Sequence, residues 1–330
     1  MNRPTSLTDI AKLAGVSPAT VSYALNGNRK ISADTTARIL KIAQDLNYHP
    51  SKIAQGLRTR QSKIICMLIS SFESIFNGAL VEAINKELHE RGYALVVIAN
   101  NSTELINAQL FDGLIVFNYT ASKAYFQKTV SGLSIPVVMM ANKLEADNAA
   151  NIIIDNRQAL TSLCGLYGQS DHRQVCFFTG PEDSYNAQNR LAICQDYFKA
   201  NYQLDITQSL YNGHFDFAPA YKAAKELLAT RQYNFFFCLN DVMAHGVYRA
   251  AEEAGLKVGQ DISVVGFDNI QAANPIFEPK LTTADANINL WSQEVVTNLL
   301  NRVAHKMPEK NQTTYIPTMM IPGDSVHFKS

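Results

Sequence analysis

Short apolar runs alternate with longer stretches of helical length between residues 64 and 268, and this alternation limits what the chain can fold into. The runs hold five to seven residues and are rich in Val, Ile and Phe. Runs of this kind, joined by helical connections, predict repeated β-α units in parallel sheets whose two faces are both covered. The predicted strands are 64–69, 94–99, 113–117, 135–141, 151–155, 175–180, 235–241 and 262–268, with a short one near 207–211.

Small or polar residues follow most of these runs. In an open parallel sheet, ligands bind beyond the carboxyl ends of the strands, so we expect these residues to line a common crevice. Two such sheets facing each other would form a clamshell. The residues are Ser70–Ser71, Asn100, Asn118, Asn142, Asp155, Thr179–Gly180, Asn240–Asp241 and Asp268–Asn269.

The first 50 residues carry a different pattern, with three helix starts in quick succession. Ser6 with Asp9 forms a capping-box sequence, Ser17 precedes Pro18, and Ser32 precedes a third helical stretch that runs to about Asn47. A glycine-containing turn separates the first two helices, which predicts a helix-turn-helix unit. An ordinary three-helix domain or a protein-docking module is the alternative. The apolar set predicted to form its core is Ile10, Leu13, Val16, Val21, Leu25, Ile39, Ile42 and Leu46.

Charge is distributed unevenly along a chain whose formal net charge is zero. Residues 1–63 hold ten basic and three acidic residues, a net charge of +7, and the remainder holds 19 basic and 26 acidic residues, a net charge of −7. A basic head on a mildly acidic body indicates that only the head binds a polyanion. This favours a DNA-binding helix-turn-helix unit over an ordinary three-helix domain or a protein-docking module.

Several strings resemble the LacI/GalR family of bacterial transcription regulators over nearly the whole chain. They are LTDIAKLAGVSPATVSYALNG, ISADTTARIL, LNYHP, SKIAQGLR, IIIDN, FFTGP, LNDVMAHG and DISVVGFDN. The resemblance implies an α/β chain: a helix-turn-helix domain, a hinge helix, and a two-subdomain clamshell of the periplasmic-binding-protein type with parallel sheets. The implied boundaries are 1–50, 51–63 and 64–330, with an N-subdomain at about 64–158 and 290–320 and a C-subdomain at about 159–289 and 321–330.

By this resemblance the second helix reads the major groove. Pro18, Ala19 and Tyr23 occupy base-reading positions, and proline and alanine offer thymine methyl groups only apolar contact. The alternative for Tyr23 is packing against the third helix. The residues placed to bond phosphates or base edges are Ser17, Thr20, Ser22 and Asn26.

Residues 51–58 match the family's hinge helix, with Leu57 as the wedge in the minor groove and Ala54 where two hinge helices approach. Gly56 lowers helix propensity by about 1 kcal/mol relative to alanine, and isolated helices shorter than about 12 residues are already marginal. We therefore expect the hinge to fold only on DNA. A plain basic linker is the alternative.

The resemblance also implies an effector site for a small sugar or sugar phosphate. Arg190 supplies a planar fork for adjacent hydroxyls, Asp268 accepts from others, and Asn240 can do both. An ion pair between Arg190 and Asp268 with no ligand is the alternative. The remaining candidates are the aromatic Phe72, Phe76 and Phe215, each of which could instead belong to the core, together with Ser71 and Gln158.

Three departures from the family pattern bear on the site and the assembly. The first strand is followed by Ser74-Ile75-Phe76-Asn77 instead of Asn-Pro-Phe-Phe, and the segment 100–110 is shorter than usual. The C-terminal stretch carries no leucine heptad, so we expect a homodimer and no tetramer.

The sequence predicts a repressor that binds a near-palindromic operator as a dimer and responds to a metabolite. It shows no paired catalytic carboxylates, no P-loop, no nucleophile elbow and no metal-ligand spacing, so we expect neither enzymatic activity nor a cofactor. The first ten residues lack an apolar signal-peptide core and no apolar run is long enough to span a membrane, which predicts a cytoplasmic protein. The five cysteines are predicted to be buried, inert thiols.

Overall fold

The computed structural model describes residues 6–25, 30–48, 61–99, 106, 110–117, 123–270, 276–304 and 313–329. It divides the chain into two compact units, a head at 1–62 and a body at 63–330. The predictions for Asn26, for the hinge with Ala54 and Leu57, for Asn100 and Asn118, and for most of the shortened 100–110 segment lie outside the described residues.

Three helices build the head: α1 (Leu7–Ala14), α2 (Pro18–Leu25) and α3 (Ala33–Asp45). Ile10, Val21 and Ile39 are fully buried where the helices meet. The predicted capping box is confirmed, since the Asp9 amide donates to Ser6 Oγ and the Ser6 amide donates to the Asp9 carboxylate at 2.9 Å. Gly15 adopts a left-handed φ of 64° after α1, which sets the turn into α2.

Leu13 is a correction to the predicted core, because 64% of its surface is exposed. Ile10, Ala11 and Ala14 are the buried residues of α1. A helix advances about 100° per residue, so Leu13 lies about 100° around the helix axis from the centre of the face formed by these three residues. It therefore points away from the other helices.

Twelve strands, seven helices and a short 3-10 turn (Thr207–Ser209) are described in the body. The strands are β1 (Ile64–Ile69), β2 (Ala94–Ala99), β3 (Gly113–Phe117), β4 (Val137–Met139), β5 (Ala149–Asp155), β6 (Val175–Thr179), β7 (Leu210–Asn212), β8 (Phe235–Cys238), β9 (Ser263–Val265), β10 (Thr283–Asp285), β11 (Thr313–Pro317) and β12 (Met319–Ile321). The helices are α4 (Ile75–Glu90), α5 (Lys123–Ser131), α6 (Arg157–Gln169), α7 (Tyr185–Tyr202), α8 (Phe217–Thr230), α9 (Asp241–Glu253) and α10 (Ile288–Val303).

Two parallel sheets organise the body, as predicted. The first has the order β11-β5-β4-β3-β1-β2, and the second has the order β7-β6-β8-β9. Every neighbouring pair within each sheet is parallel. The chain builds β1–β5 before it moves to the second sheet and returns to the first only with β11, so the segments that connect the sheets lie between β5 and β6 and again after β9.

All nine predicted strands are found, with altered ends for some of them. The strand predicted near 207–211 begins after the 3-10 turn and spans Leu210–Asn212. Three strands were not predicted: β11 extends the first sheet, and β10 pairs antiparallel with β12. Their sequences, TTYIP, TAD and MMI, are too short or too polar to form an apolar run.

Apolar packing covers both faces of the sheets. Trp291 and a set of strand phenylalanines (Phe177, Phe235, Phe236, Phe237) are the large residues at its centre and have no exposed surface. All five cysteines are buried and free, as predicted, and burial raises the pKa of the Cys66 thiol to about 12. None of the helices in the described ranges is both long and apolar enough to cross a bilayer.

Close packing of α8 against α9 depends on Gly246. A Cβ atom at this position would lie 2.7 Å from the Tyr221 amide nitrogen and 3.0 Å from the Phe217 carbonyl oxygen. Because both are backbone atoms, the two helices would have to move apart. We expect Gly246→Ala to lower the free energy of unfolding in urea by about 1–3 kcal/mol.

Gly78→Ala is the matched control for this prediction. Gly78 also lies inside a helix, but no atom comes within 4 Å of a Cβ built there. Alanine should therefore raise the free energy of unfolding by up to about 1 kcal/mol through helix propensity. Equal effects of the two substitutions would contradict the packing argument.

Candidate functional site

The second helix of the head exposes one face. Ala19 and Tyr23 lie one turn apart and are exposed, Tyr23 by 48%, and Ser17 and Pro18 are exposed at the start of the helix. Tyr23 is half exposed and is not among the residues that pack in the head core, which argues against the alternative of packing on the third helix. The three residues predicted to read bases, Pro18, Ala19 and Tyr23, are therefore all exposed, and their contact with DNA stays a prediction.

Ser17 and Thr20 also shape the start of α2. The Thr20 amide donates to Ser17 Oγ at 3.1 Å, and the two hydroxyls are 2.9 Å apart. Ser17 thereby caps the helix, with Pro18 at its first position, as the sequence predicts. Both hydroxyl groups remain near the helix N-terminus, where phosphate oxygens are favoured.

Ser22 is a correction, because only 5% of its surface is exposed. It follows Val21 on the inward face of α2, together with Ala24. At about 100° per residue, Ser22 lies on the flank of α2 between Val21 and Ala19, and its low exposure shows that this flank is covered by the head. Ser22 belongs to the head core and not to its contact surface.

A cleft in the body opens where the strands of both sheets have their carboxyl ends. The space between its walls measures about 420 Å³, including its open mouth. Its walls are formed by residues that follow β1, β6, β7, β8 and β9 together with residues of β3, β5 and α10. The lining residues are Ser74, Phe76, Asn77, Phe117, Ile154, Ser184, Asn186, Arg190, Phe215, Asn240, Asp268 and Trp291.

Arg190 is the best-connected polar side chain in the cleft. It lies on α7 and is buried. Its Nε donates to Asn156 Oδ1 at 3.1 Å, Nη1 donates to the Leu239 carbonyl at 2.6 Å, and Nη2 donates to Asp268 Oδ1 at 3.1 Å. Its guanidinium carbon lies 3.7 Å from the Phe267 ring centroid, a cation–π contact. Burial lowers the pKa of Arg190, and the neighbouring Asp268 opposes that shift.

Asp268 sits on a loop with unusual backbone geometry. Its φ is 113°, in the region that favours glycine, and its amide donates to the Ala284 carbonyl at 2.8 Å. Burial raises the pKa of its carboxyl to about 6, although Arg190 acts in the opposite direction. The loop therefore holds a desolvated carboxylate beside a desolvated guanidinium.

A second buried carboxylate, Asp241, supports this loop from beneath. Its Oδ1 accepts from Thr283 Oγ1 at 2.6 Å and its Oδ2 accepts from the Ile270 amide at 2.9 Å. Burial raises the pKa of Asp241 well above its ordinary value, and the nearby Asp268 carboxylate adds to the shift. A Cβ on Gly266 would occupy the position of Asp241 Oδ1, so a larger residue at 266 would displace this carboxylate from its hydrogen bonds.

Aromatic rings form the other walls of the cleft. Phe76 and Phe117 lie 5.8 Å apart between ring centroids, and Phe117 meets Trp291 edge-on at 5.6 Å. Trp291 Nε1 donates to the Ile152 carbonyl at 2.7 Å, which fixes the indole against β5. Phe215 closes the opposite side, where its ring occupies the space that a Cβ on Gly180 would fill.

Asn240 lines the cleft, but its side chain is engaged within the protein. Its Oδ1 accepts from the Met243 amide at 2.9 Å and caps α9, and its Nδ2 donates to the Phe215 carbonyl at 3.2 Å. Asn240 therefore positions Phe215, and its contribution to ligand contact is limited to unused hydrogen-bonding capacity.

Three predicted effector residues do not line the cleft in the described structure. Phe72 is 64% exposed on the loop after β1. Ser71 uses its hydroxyl to accept from the Glu73 amide at 3.0 Å. Gln158 is exposed in the first turn of α6, where its carbonyl accepts from Thr161 and Ser162. The residues that reach the cleft from this stretch are Ser74, Phe76 and Asn77, because α4 begins at Ile75 and turns them inward.

Several lining residues were not predicted from the sequence. Asn186 lies four residues before Arg190, so helical spacing alone places both on one face of α7. Asn77 belongs to the Ser74–Asn77 departure noted in the sequence, and no residue pattern shows that its side chain turns inward. Trp291 is separated by more than a hundred residues from the strand it touches, and no local pattern indicates that contact.

Comparisons with known proteins agree with this geometry. Residues 6–51 match the family described as bacterial regulatory proteins, lacI family, and residues 167–326 match the periplasmic binding protein-like domain. The HTH-type transcriptional repressor PurR of Proteus mirabilis is 31% identical over 334 residues, which cover 97% of this chain and 96% of that protein.

Solved structures agree as well. The Lac repressor dimer bound to operator and the anti-inducer ONPF has a TM-score of 0.82 at 26% identity, over 98% of this chain and 100% of that chain. A sugar-binding transcriptional regulator of the LacI family from Enterococcus faecalis has a TM-score of 0.72 at 26% identity, over 82% of this chain and 99% of that chain.

A helix-turn-helix head and a periplasmic-binding-protein-like body in one chain define a class of DNA-binding transcription regulators. Within that class, the chain belongs to the LacI family of bacterial regulatory proteins and is a transcriptional repressor. The resemblance and the fold class inferred from the sequence are confirmed. The PurR and Lac repressor relatives carry the names of repressors, in agreement with the expectation of a regulator and not of an enzyme.

The pKa of Asp268 gives a testable dependence of stability on pH. Because the folded pKa of about 6 exceeds the ordinary value of 3.8, the native state binds more protons than the unfolded chain between these values. The free energy of unfolding of the wild-type protein, relative to that of Asp268→Asn, should therefore fall as pH rises from about 4 to about 6. Above about pH 7 the difference between the two free energies should stay constant.

Urea unfolding of both proteins at several pH values measures this difference. Titrating groups that do not interact with Asp268 are common to both chains and cancel in the comparison, whereas Asp241 does not cancel fully, because the Asp268 carboxylate contributes to its raised pKa. A difference that does not change between pH 4 and pH 6 would show that Asp268 titrates in its ordinary range.

Proposed function

We propose that this repressor controls genes of carbohydrate metabolism, binds a near-palindromic operator as a homodimer, and responds to a small sugar or sugar phosphate held in the cleft of the body. The observation that carries the proposal is the buried Arg190–Asp268 pair, which lies 3.1 Å apart at the end of an aromatic-walled cleft.

The chemistry of the cleft suits a hydroxylated ring. The C–H faces of a pyranose pack on aromatic rings such as Phe76, Trp291 and Phe215, while its hydroxyls exchange hydrogen bonds with a few fixed polar groups. Arg190 and Asp268 supply a donor fork and an acceptor side by side. The internal ion pair and the ligand-binding role are compatible, since the pair fixes both groups before a ligand arrives.

On the DNA side, the proposal assigns base contact to Tyr23, Pro18 and Ala19, and phosphate contact to Ser17, Thr20 and Asn26. Two heads carry a combined charge of +14, so affinity should fall steeply as salt rises. The hinge supplies Leu57 as the minor-groove wedge, with Ala54 at the close approach of two hinge helices.

Coupling between the two sites follows from the two sheets that border the cleft. A ligand that touches both walls changes their relative position, and in a dimer this alters the spacing at which the two hinges can fold on DNA. The direction of the response depends on whether the ligand favours the DNA-bound spacing, so induction and co-repression both fit the same architecture.

Calorimetric titration of the full-length protein against sugars, sugar phosphates and planar nitrogen heterocycles tests the effector. We expect at least one sugar or sugar phosphate to bind, and Asp268→Asn to weaken it at least about tenfold because a charged acceptor is lost. Asp183→Asn is the control, since Asp183 is exposed and does not line the cleft. Binding of a heterocycle alone, or of nothing, would contradict the carbohydrate assignment.

The hinge is tested on DNA. Selection from random duplexes with the full-length protein first yields its preferred site. Leu57→Ala should then bind that site at least about tenfold more weakly, since the wedge contact is lost, while binding to random duplexes stays unchanged. Leu40→Ala, a truncation of a half-exposed leucine on α3, should change neither. Equal losses on selected and random DNA would refute the wedge role.

A further inference from the structure

Two amide oxygens in the cleft have no hydrogen-bond partner. Asn77 Oδ1 and Asn186 Oδ1 are buried and unpaired, and the two residues are only 1% and 6% exposed. Both residues line the cavity. Within the described ranges, the only other buried side-chain atoms without a partner are Ser292 Oγ and Arg302 Nη2, neither of which belongs to a lining residue.

Two hydrogen bonds identify Oδ1 as the unpaired atom of the Asn77 amide group. Its Nδ2 donates to the Ser71 carbonyl at 2.7 Å and to Ser70 Oγ at 3.2 Å. An amide oxygen could not make the contact with the Ser71 carbonyl, because both atoms are acceptors. The unpaired atom is therefore an acceptor, and a buried acceptor without a donor costs free energy.

The two asparagines belong to different parts of the body. Asn77 lies in the first turn of α4, a helix that packs beside β2 of the first sheet and against α10. Asn186 lies in the first turn of α7, four residues before Arg190, and α7 packs against α6. A ligand that satisfies both oxygens must present donors toward both sides of the cleft.

The cationic donor of the described cleft lining is already engaged within the protein. The Arg190 guanidinium already donates to Asn156, Leu239 and Asp268. Asp268 Oδ1 accepts from Arg190, which leaves Oδ2 as a third acceptor. Three acceptor atoms of the described lining, Asn77 Oδ1, Asn186 Oδ1 and Asp268 Oδ2, thus accept no hydrogen bond from the described residues.

Charge points in the same direction. Arg190 and Asp268 are the only charged residues among those described as lining the cavity, and they neutralise each other at 3.1 Å. A phosphate placed here would meet the first turns of α4 and α7, which favour an anion through partial charge, but it would also meet three acceptor oxygens and no unpaired cation. Burying a full negative charge without a cation is strongly unfavourable.

We infer that the effector is a neutral, multiply hydroxylated molecule, an unphosphorylated sugar, whose hydroxyl groups donate to Asn77 Oδ1 and Asn186 Oδ1 from the two sides of the cleft. This inference rests on the proposed effector function and narrows it from sugars and sugar phosphates to sugars alone. It assigns to two asparagines the role of selecting donors and rejecting anions.

A stability measurement tests the unpaired oxygen without any ligand. Replacing Asn186 by leucine keeps the branched shape and removes the unpaired acceptor, so the melting temperature of the ligand-free full-length protein should rise by about 2 °C or more. Asn201→Leu, an exposed position on the same helix, should produce no such rise. An unchanged or lower melting temperature for Asn186→Leu overturns the inference.

A second variant controls for the possibility that leucine is too large for the space at position 186. Asn186→Ala adds no volume, and Asn201→Ala is its matched control for helix propensity. The Asn186→Ala protein should be the more stable of the two alanine variants, and the reverse order overturns the inference.

A binding measurement tests the selectivity. Melting temperatures of the full-length protein are recorded with pairs of neutral sugars and their phosphate esters, such as glucose with glucose 6-phosphate and ribose with ribose 5-phosphate. We expect a neutral member to stabilise the protein and its ester to fail, and Asn186→Leu to weaken the neutral sugar at least about tenfold.

The outcomes separate the inference from the proposed function. An ester that binds as tightly as its neutral partner overturns the inference and leaves the proposed effector site standing. A panel in which neither member of any pair binds overturns the proposed effector function, and the stability comparison still decides whether the unpaired oxygen is real.

Discussion

The buried ion pair between Arg190 and Asp268 is the interaction on which the body of this repressor is organised. Removing two charges from water costs about as much as their attraction returns, so such a pair contributes little net stability by itself. The hydrogen bonds of Arg190 show the structural role of the pair. They join α7 to Leu239 at the end of β8 and to Asn156 after β5. Charged groups held at this cost, with a raised carboxyl pKa and in a cleft, are typical of a binding site.

The head relies on a different principle, in which local signals agree with the tertiary contacts. The Ser6 capping box, the left-handed Gly15 and the Ser17-Pro18 start each set one helix boundary, and Ile10, Val21 and Ile39 join the helices in one small core. Most of the polar and aromatic side chains of α2 are thereby left for an outside partner. The charge of the first 63 residues indicates that this partner is a polyanion.

Much of this arrangement follows from the sequence, and the failures have physical causes. Strands with buried faces were found because their apolar runs are continuous, whereas β10, β11 and β12 were missed because they are short or polar. Arg190 and Asp268 were identified by resemblance to the family, and Asn186 could have been found from its helical spacing to Arg190. Ser22, Leu13 and Phe72 were misplaced because residue type does not determine which way a side chain points. The inward turn of Asn77 depends on where α4 begins, and Trp291 reaches the cleft through a contact far away in sequence.

The pairing of Gly266 with Asp241 has an evolutionary consequence. The carboxylate occupies the volume that any side chain at 266 would need, while the same carboxylate holds the Ile270 amide and the Thr283 hydroxyl. A side chain at 266 would displace this carboxylate and would also meet Leu281 Cδ2 at 2.8 Å. Any lineage that replaces Gly266 must therefore change its neighbours as well, because position 266 does not vary independently of the residues that hold the loop bearing Asp268.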